Sequence, residues 1–487
     1  MPAVRSYLGI DVGTSVTKAV LLDEAGTLLA AESAQTQLLS PRAGWFEEDP
    51  ADIHAAVVQA VRAIVTGTGA RPAAVGITGQ GDGLWLADAA GCAVRPAVSW
   101  LDSRAADVLE RWQAAGLVED VFHRTGNVLF PGSAAPLLSW FAAHERRSLD
   151  GAATAGYCKD LLMQRLTGVR STDASDASLP FLDPRTRTYD TAVLELLGLG
   201  EWASLLAPVC EPLPVGELRA DAAELLGLPA GTPVTCGPFD LPASAVGAGL
   251  TVPGVGLVTI GTTLACQVLV DAVDRTGEPA GMTLATGTPG RWLRAMPAMV
   301  GTAALDWLLT VVGRTHADLD AMLAESPLGA HGVTCLPYFS PAGERAPFLA
   351  PQARAGFDRL SMQTTVADLV RATCEAIVYA ARQCFEAAGL TGDVAACGGG
   401  TASAGWLQMF ADVLGRPVQI AARPETGARG AVTSAVRVLG HDVDTAVWTA
   451  PERVVEPVPA NVERYAEQYL GYCDRVAKAR QAWRELG

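Results

Sequence analysis

The chain has 487 residues, 49% of them hydrophobic and 18% charged. That is a globular balance, which excludes a mainly disordered or low-complexity chain, and the length fits two large domains or three smaller ones. A formal net charge of −16 repels phosphate backbones and argues against general nucleic-acid binding, but it leaves room for a nucleotide pocket built from backbone N–H groups and a metal.

With no basic-then-apolar leader, folded structure is expected to begin at Tyr7-Leu8-Gly9-Ile10-Asp11. Residues 7–22 read as two strands joined by a tight Gly-Thr turn, with a third strand over Thr27–Ala34. Gly44 to Glu48 and Asp49-Pro50 precede a helical pattern over Ala51–Thr66, with Pro50 near its start. Val75–Thr78 and Leu84–Leu86 read as short strands. Helical periods follow at 103–117, 134–147 and 157–168, and residues 171–190, rich in Asp, Ser and Thr, read as loop. Leu241–Val270 carries no charge, but its two prolines, five glycines and four threonines make it a helix followed by a hairpin rather than a membrane span. Later helices are expected at 302–312, 317–324, 365–388 and 404–414, with a strand at Val394–Cys397. Ten scattered cysteines without a Cys-x-x-Cys pair read as reduced thiols of a cytoplasmic protein. Six histidines without a His-x-x-x-His pair give no zinc signature.

Residues 255–270 repeat the opening hairpin about half a chain later. Gly261-Thr262-Thr263 matches Gly13-Thr14-Ser15, and apolar strands flank both turns. Two related halves follow, at 1–245 and 246–487. Asp11 of the first copy becomes Thr259 in the second, so only one half offers the carboxylate.

Five constellations can carry chemistry. Asp11-x-Gly13-Thr14-Ser15-x-x-Lys18 supplies N–H and O–H donors to phosphate oxygens and an acid that can hold Mg²⁺; the bland reading is a hairpin with an Asx turn. Gly261-Thr262-Thr263 would grip the same phosphate from the other side. Gly398-Gly399-Gly400-Thr401, between a strand and a helix, fits close packing of an adenine or ribose, or else a flexible loop. In Gly237-Pro238-Phe239-Asp240 the aspartate is either an N-cap or a general base for a hydroxyl attacking phosphorus. Gln80, Asp82, Trp100 and Arg104 have the amide, carboxylate and aromatic types that bind polyols, against a reading as turn residues and core tryptophans. Lys159-Asp160 and Thr172-Asp173 are as readily surface or capping residues.

Together these segments resemble the FGGY family of carbohydrate kinases, within the actin-like ATPase superfamily, over nearly the whole chain. GIDVGTSVTKAVLLDEAG resembles the first phosphate motif, GITGQGDG the substrate loop, GPFD the catalytic-base motif, IGTT the second phosphate motif and CGGGTASAGWLQMFADVLGRPVQI the adenosine motif. WLDSR, KDLLMQRLTG, TDASDAS, LPYFSPAGERAPF and PETGARGAVTSA follow in family order. The resemblance implies an α/β fold of two actin-like (ribonuclease H-like) lobes with ATP–Mg²⁺ and a sugar in the cleft between them. It implies Asp240 as general base, Asp11 supporting Mg²⁺, and Thr14, Ser15, Lys18, Gly261, Thr262 and Thr263 around the transferred phosphoryl. Gly399, Gly400 and Thr401 would line the nucleotide, and Gln80, Asp82, Trp100 and Asp240 would face the substrate.

The substrate loop departs from the Gln-Met-His-Gly typical of xylulose kinases and from the Arg-Glu pair of glycerol kinases. GQGDG looks most like erythritol kinases, and GPFD looks closer to the L-xylulose kinase branch. A short polyol or ketose is therefore expected, with no nucleic-acid or membrane partner, and a homodimer by analogy alone. Arg359 and Cys374 stand where the family usually has glycine and a larger apolar residue. The competing readings are a non-catalytic sugar sensor or scaffold on the same fold, and a phosphotransferase for an acid such as acetate. The survival of Asp11, Asp240 and both phosphate turns opposes the first; the missing basic substrate pocket opposes the second.

Overall fold

The computed structural model describes residues 5–421 and 425–485. Pro424, which opens the PETGARGAVTSA segment, lies outside the described residues.

Six strands form the first sheet: β1 (Ser6–Val12), β2 (Val16–Asp23), β3 (Leu28–Gln35), β4 (Val75–Gly79), β5 (Val215–Glu217) and β6 (Pro233–Cys236). Seven form the second: β7 (Gly256–Ile260), β8 (Leu264–Val270), β9 (Met282–Ala285), β10 (Trp292–Ala298), β11 (Val394–Cys397), β12 (Val418–Ala421) and β13 (Pro451–Val455). The first sheet runs β3-β2-β1-β4-β6-β5 and the second β10-β8-β7-β11-β12-β13, with β9 added outside β10. Each step has the same sense in both: two antiparallel pairings, two parallel pairings, then an antiparallel edge. The repeat expected from the two hairpins thus extends across all six strands of the first sheet and six of the seven in the second.

The central strands are apolar on both faces, as strands covered by helices must be. On one side of the first sheet Leu8, Ile10 and Ile77 pack on Val57 and Val61 of α1 (Pro50–Thr68) and on Leu162 of α2 (Cys158–Thr167). Asp49 caps α1 by accepting from the Ala51 amide, Pro50 starts it, and Gly69 ends it in a left-handed conformation, which glycine adopts without strain. The junction between the two sheets holds α3 (Asp240–Gly247). Phe239 and Ala245 meet Leu257, Leu269, Leu284 and Leu293 of the second sheet there. On the far side of that sheet lie α4 (Thr302–Val311), α5 (Val366–Ala388) and α6 (Ala404–Leu414), sharing a core with Val258, Ile260 and Leu264. A reciprocal capping box of Thr365 and Asp368 starts α5.

The last of these helices, α7 (Thr426–Val438), returns to the first sheet. Its Ala428, Val432 and Val436 cover Tyr7, Val20 and Leu22 on the face opposite α1. The approach is close enough that a Cβ on Gly9 or Gly76 would overlap the carbonyls of Ala428 and Ala431. α3 and α7 cross through Gly247 and Gly430, where a Cβ would overlap the carbonyls of Thr426 and Ala243.

Several expected elements are redrawn. The pattern at 103–117 forms Ala106–Ala114, and a separate helix begins after Gly116. That at 134–147 splits at Glu145 into Ala134–His144 and Arg146–Asp150. The expected loop at 171–190 holds a short strand at Thr172–Asp173 and one helical turn at Ala174–Ala177, both buried. Among the described residues no helix is long and apolar enough to cross a membrane.

Candidate active site

Asp240 is the first residue of α3, and Phe239 holds the cap position one residue earlier. Half-buried at the junction of the two sheets, its carboxyl is held at about 7 by desolvation and then by the Asp11 charge, against one backbone hydrogen bond. The loop before it is braced from behind. Lys159 is fully buried, with Nζ 2.7 Å from Asp160, 2.7 Å from Asp173 and 2.8 Å from Asp176. Burial alone would strip its proton, but the three carboxylates keep it charged, while burial raises Asp176 well above its ordinary range. Gly237, at φ +103°, lies against the Asp173 carboxylate; the Phe239 amide donates to Ser175 Oγ at 3.0 Å and Cys236 Sγ to the Lys159 carbonyl at 3.3 Å. Lys159, Asp160 and Asp173 are therefore not surface residues. Asp173 does also cap the short helix, through the Ser175 amide.

Asp11 sits on β1 opposite Lys18 of β2 and beside Thr78 of β4. Thr78 Oγ1 donates to the Pro238 carbonyl at 2.7 Å, tying this strand to the Asp240 loop. Desolvation lifts Asp11 to about 6, with Lys18 opposing and Glu425 reinforcing the shift. Lys18 is engaged 2.9 Å from Glu425. The Asp11 carboxylate accepts no hydrogen bond among the described residues and lies against Gly427, where a side chain would collide with it. An unbonded, crowded carboxylate near two others is a fitting first ligand for Mg²⁺, which commonly takes one or two carboxylates and completes its shell with phosphate and water. No group of three or more metal-ligating side chains exists among the described residues, so the protein alone builds no full cage.

The first turn and the substrate loop are joined. Thr14 Oγ1 donates to Gln80 Oε1 at 2.8 Å and accepts from Trp100 Nε1 at 3.0 Å, and Gln80 Nε2 donates to Glu48 Oε2 at 2.6 Å. Thr14 thus spends its hydroxyl on positioning Gln80 and Trp100, which leaves the Ser15 side chain as the exposed hydroxyl of that turn. Glu48, fully buried with Oε1 unbonded, is pushed up to about 7 by burial against its bond from Gln80. Asp82 is 5% exposed, adopts φ +58° and leaves Oδ1 without a partner. Burial carries it to about 8, with Arg345 lowering and Asp240 raising it. Arg104 pairs with Asp102 and Glu47 and lays its guanidinium over the Trp45 ring, with Nη1 buried and unpartnered.

In the second half, Thr259 occupies the place of Asp11, opposite Ala265 and beside Cys397. The Gly261 and Thr262 carbonyls accept from the Thr302 and Ala303 amides at the start of α4, leaving the Thr262 and Thr263 side chains exposed. The glycine run is seated on this hairpin. A Cβ on Gly398 or Gly400 would overlap Ile260, so two of the three glycines are required by protein packing, and only Gly399 opens onto free space. Thr401 Oγ1 turns back to the Gly398 carbonyl at 2.7 Å.

Sequence reasoning passed over Glu48 and Arg345. Glu48 sits in Trp-Phe-Glu-Glu-Asp-Pro, which reads as the polar approach to a helix. Arg345 lies in a segment noted for its resemblance but given no role.

Comparison with known proteins agrees with this geometry. Residues 6–247 match the N-terminal domain, and residues 256–439 the C-terminal domain, of the FGGY family of carbohydrate kinases. The chain is 32% identical to the erythritol kinase of Brucella abortus, over 98% of this chain and 97% of that one. It is 31% identical to the xylulose kinase of Streptomyces rubiginosus, over 94% and 93% respectively. The crystal structure of xylulose kinase from Rhodospirillum rubrum superposes with a TM-score of 0.89 at 31% identity, covering 99% of this chain and 100% of that one. With both halves of one kinase fold present in order along the sequence, the chain belongs to the FGGY family of carbohydrate kinases and is an ATP-dependent sugar kinase.

Proposed function

We propose that the enzyme phosphorylates a hydroxyl of a short linear polyol or ketose, an erythritol-type tetritol or a pentulose such as xylulose, with Asp240 as general base. The supporting observation is the pairing of Asp240, held at about 7, with Asp82, whose Oδ1 is buried and unbonded. Enzymes operating near neutrality favour a base with such a pKa, and an acceptor hydroxyl would satisfy the buried, unbonded carboxyl oxygen of Asp82. Gln80 and Trp100, fixed through Thr14, shape the same site.

In the reaction, the substrate hydroxyl attacks the γ-phosphorus of ATP in line. Asp240 accepts the hydroxyl proton as the new O–P bond forms and the bond to the ADP oxygen breaks. Thr14, Ser15, Lys18 and the Gly261–Thr263 turn are assigned to the transferred phosphoryl, and Gly399, Gly400 and Thr401 to the nucleotide. Asp11 is assigned to Mg²⁺, which when bound supplies charge neutralisation for the phosphates. Withdrawal from water limits wasteful ATP hydrolysis. The lobe boundary at residues 245/246, a cytoplasmic setting and a homodimer complete the proposal. The match to erythritol kinase supports the tetritol reading, and the match to xylulose kinases supports the pentulose reading.

The test is coupled ADP release over erythritol, D- and L-threitol, glycerol, D- and L-xylulose, D- and L-ribulose and arabinitols, with Asp240→Asn alongside. One strong acceptor is expected, with turnover reduced about 10²–10⁴-fold in the variant and ATP affinity retained. Near-wild-type turnover in Asp240→Asn removes the base assignment. ATP binding without release from any acceptor points to a sugar outside this panel or to the non-catalytic reading.

A further inference from the structure

The residues proposed to face the sugar lie between 48 and 240, and Arg345 approaches them from the second half of the chain. Its root is fixed by Glu344, which is 2% exposed and accepts the amides of Met299 at 2.7 Å and Arg345 at 2.8 Å. Its Nε donates to the Pro297 carbonyl at 2.8 Å. The guanidinium carbon lies 5.9 Å from the Trp100 ring centroid and 6.0 Å from that of Phe130. Neither Nη finds a protein acceptor among the described residues. Burial lowers its pKa, while the carboxylates of Glu344 and Asp82 oppose the shift.

Asp82, from the first half, is close enough to feel the Arg345 charge and is held as firmly. Its left-handed backbone costs strain in a non-glycine residue. Gly81 is packed on the Phe239 ring and the Gly83 amide donates to the Gly132 carbonyl at 3.0 Å, so the loop cannot relax. Yet Asp82 and Arg345 do not close into an ion pair. A buried carboxyl oxygen without a partner beside a guanidinium whose Nη groups are unused leaves hydrogen-bonding capacity for a third group to take up. A hydroxyl is suited to that place, since it accepts and donates at once.

We infer that Arg345 and Asp82 grip one hydroxyl of the acceptor between them, which makes Arg345 a specificity-determining residue supplied by the second half. The inference rests on the kinase reading above and adds to it a recognition element from across the junction. Acceptor binding then draws the two halves together directly, independently of ATP.

The experiment measures KM for the acceptor giving the most ADP release, KM for ATP and kcat, in wild type, Arg345→Gln, Arg345→Lys, Asp82→Asn and Asp82→Asn/Arg345→Gln. Arg345→Gln is expected to raise acceptor KM about 10–100-fold, the range set by a charge-assisted hydrogen bond. ATP KM should stay within about twofold, and Arg345→Lys should recover part of the loss. The double variant should be little worse than the worse single one. An acceptor KM unchanged in Arg345→Gln, an equal rise in ATP KM, or independent multiplication of the two single effects overturns the inference. Should Arg345→Gln fail to fold by circular dichroism, Arg345→Lys decides: its acceptor KM must rise severalfold at constant ATP KM. Wild type without ADP release from any acceptor removes the short-acceptor reading and this inference together, whereas active wild type with an indifferent Arg345 removes only the latter.

Discussion

The two phosphate hairpins stand at the same place in two sheets of the same order, yet they have been put to different uses. In the first, Asp11 is crowded and unbonded, and Thr14 is bonded sideways into the substrate loop. In the second, Thr259 replaces the acid, and Thr262 and Thr263 are exposed on a turn whose carbonyls are anchored to a helix start. On the proposed assignment the first copy couples phosphate chemistry to sugar recognition, while the second offers exposed hydroxyls on a turn anchored to a helix start. A repeated scaffold specifies where a turn sits; the few side chains that differ decide what the turn does.

The sharpest way to break this contrast is to exchange its two defining positions. Asp11→Asn should lower turnover by about 10²–10³-fold, the range for removing one electrostatic contact to a developing charge, and should raise the Mg²⁺ concentration needed for half-maximal rate. Thr259→Val should change turnover less than about threefold. Equal losses in steady-state ADP release would show the halves to be alike.

The pH dependence comes next. A base must be ionised to act, and Asp240 stands at about 7. Below that value kcat/KM should fall about tenfold per pH unit, and above it level off. A profile flat from pH 5 to 8 would assign the proton to another acceptor.

The hydroxyls of the two turns sharpen the contrast further. Thr14→Val removes two neutral hydrogen bonds, worth about 1 kcal/mol each, and should raise acceptor KM about 5–30-fold. Thr262→Val should leave acceptor KM alone and act on ATP KM or kcat. Steady-state kinetics with each substrate varied in turn separates the two.

The smallest effect concerns stability. Asp82 ionises near 4 when unfolded and at about 8 in place. Between those values the folded state holds the extra proton, so this group's contribution to stability is present at low pH and is lost as pH rises toward 8. Asp82→Asn should therefore stabilise the ligand-free protein at pH 8 by about 1–3 kcal/mol relative to its effect at pH 5. Thermal melts at the two pH values read the difference.

Much of this was legible because it is local. The alternation of Tyr7 to Leu22, the turn glycines and the matching run at 255–270 fixed both hairpins, and their recurrence announced two related halves. Asp240 could be singled out from Gly-Pro-Phe-Asp, though not its place one residue inside the helix. What stayed hidden depends on partners distant in sequence. Lys159 reads as a solvated lysine until Asp173 and Asp176 are brought to it. Glu48 reads as a helix approach until Gln80 arrives above it. The glycines at 398 and 400 suggested a ligand's proximity, and the close neighbour proved to be Ile260.

The return of α7 to the first sheet bears on how the chain is made. Tyr7, Val20 and Leu22 wait for Ala428, Val432 and Val436, and Gly9 and Gly76 are bare so that the helix can lie on them. During synthesis the opening hairpin therefore leaves the ribosome with one apolar face uncovered. It stays so until almost the whole polypeptide has emerged, because domains assemble from the N-terminal end as chain becomes available. That face is closed by α7 and not by any residue proposed for the sugar site.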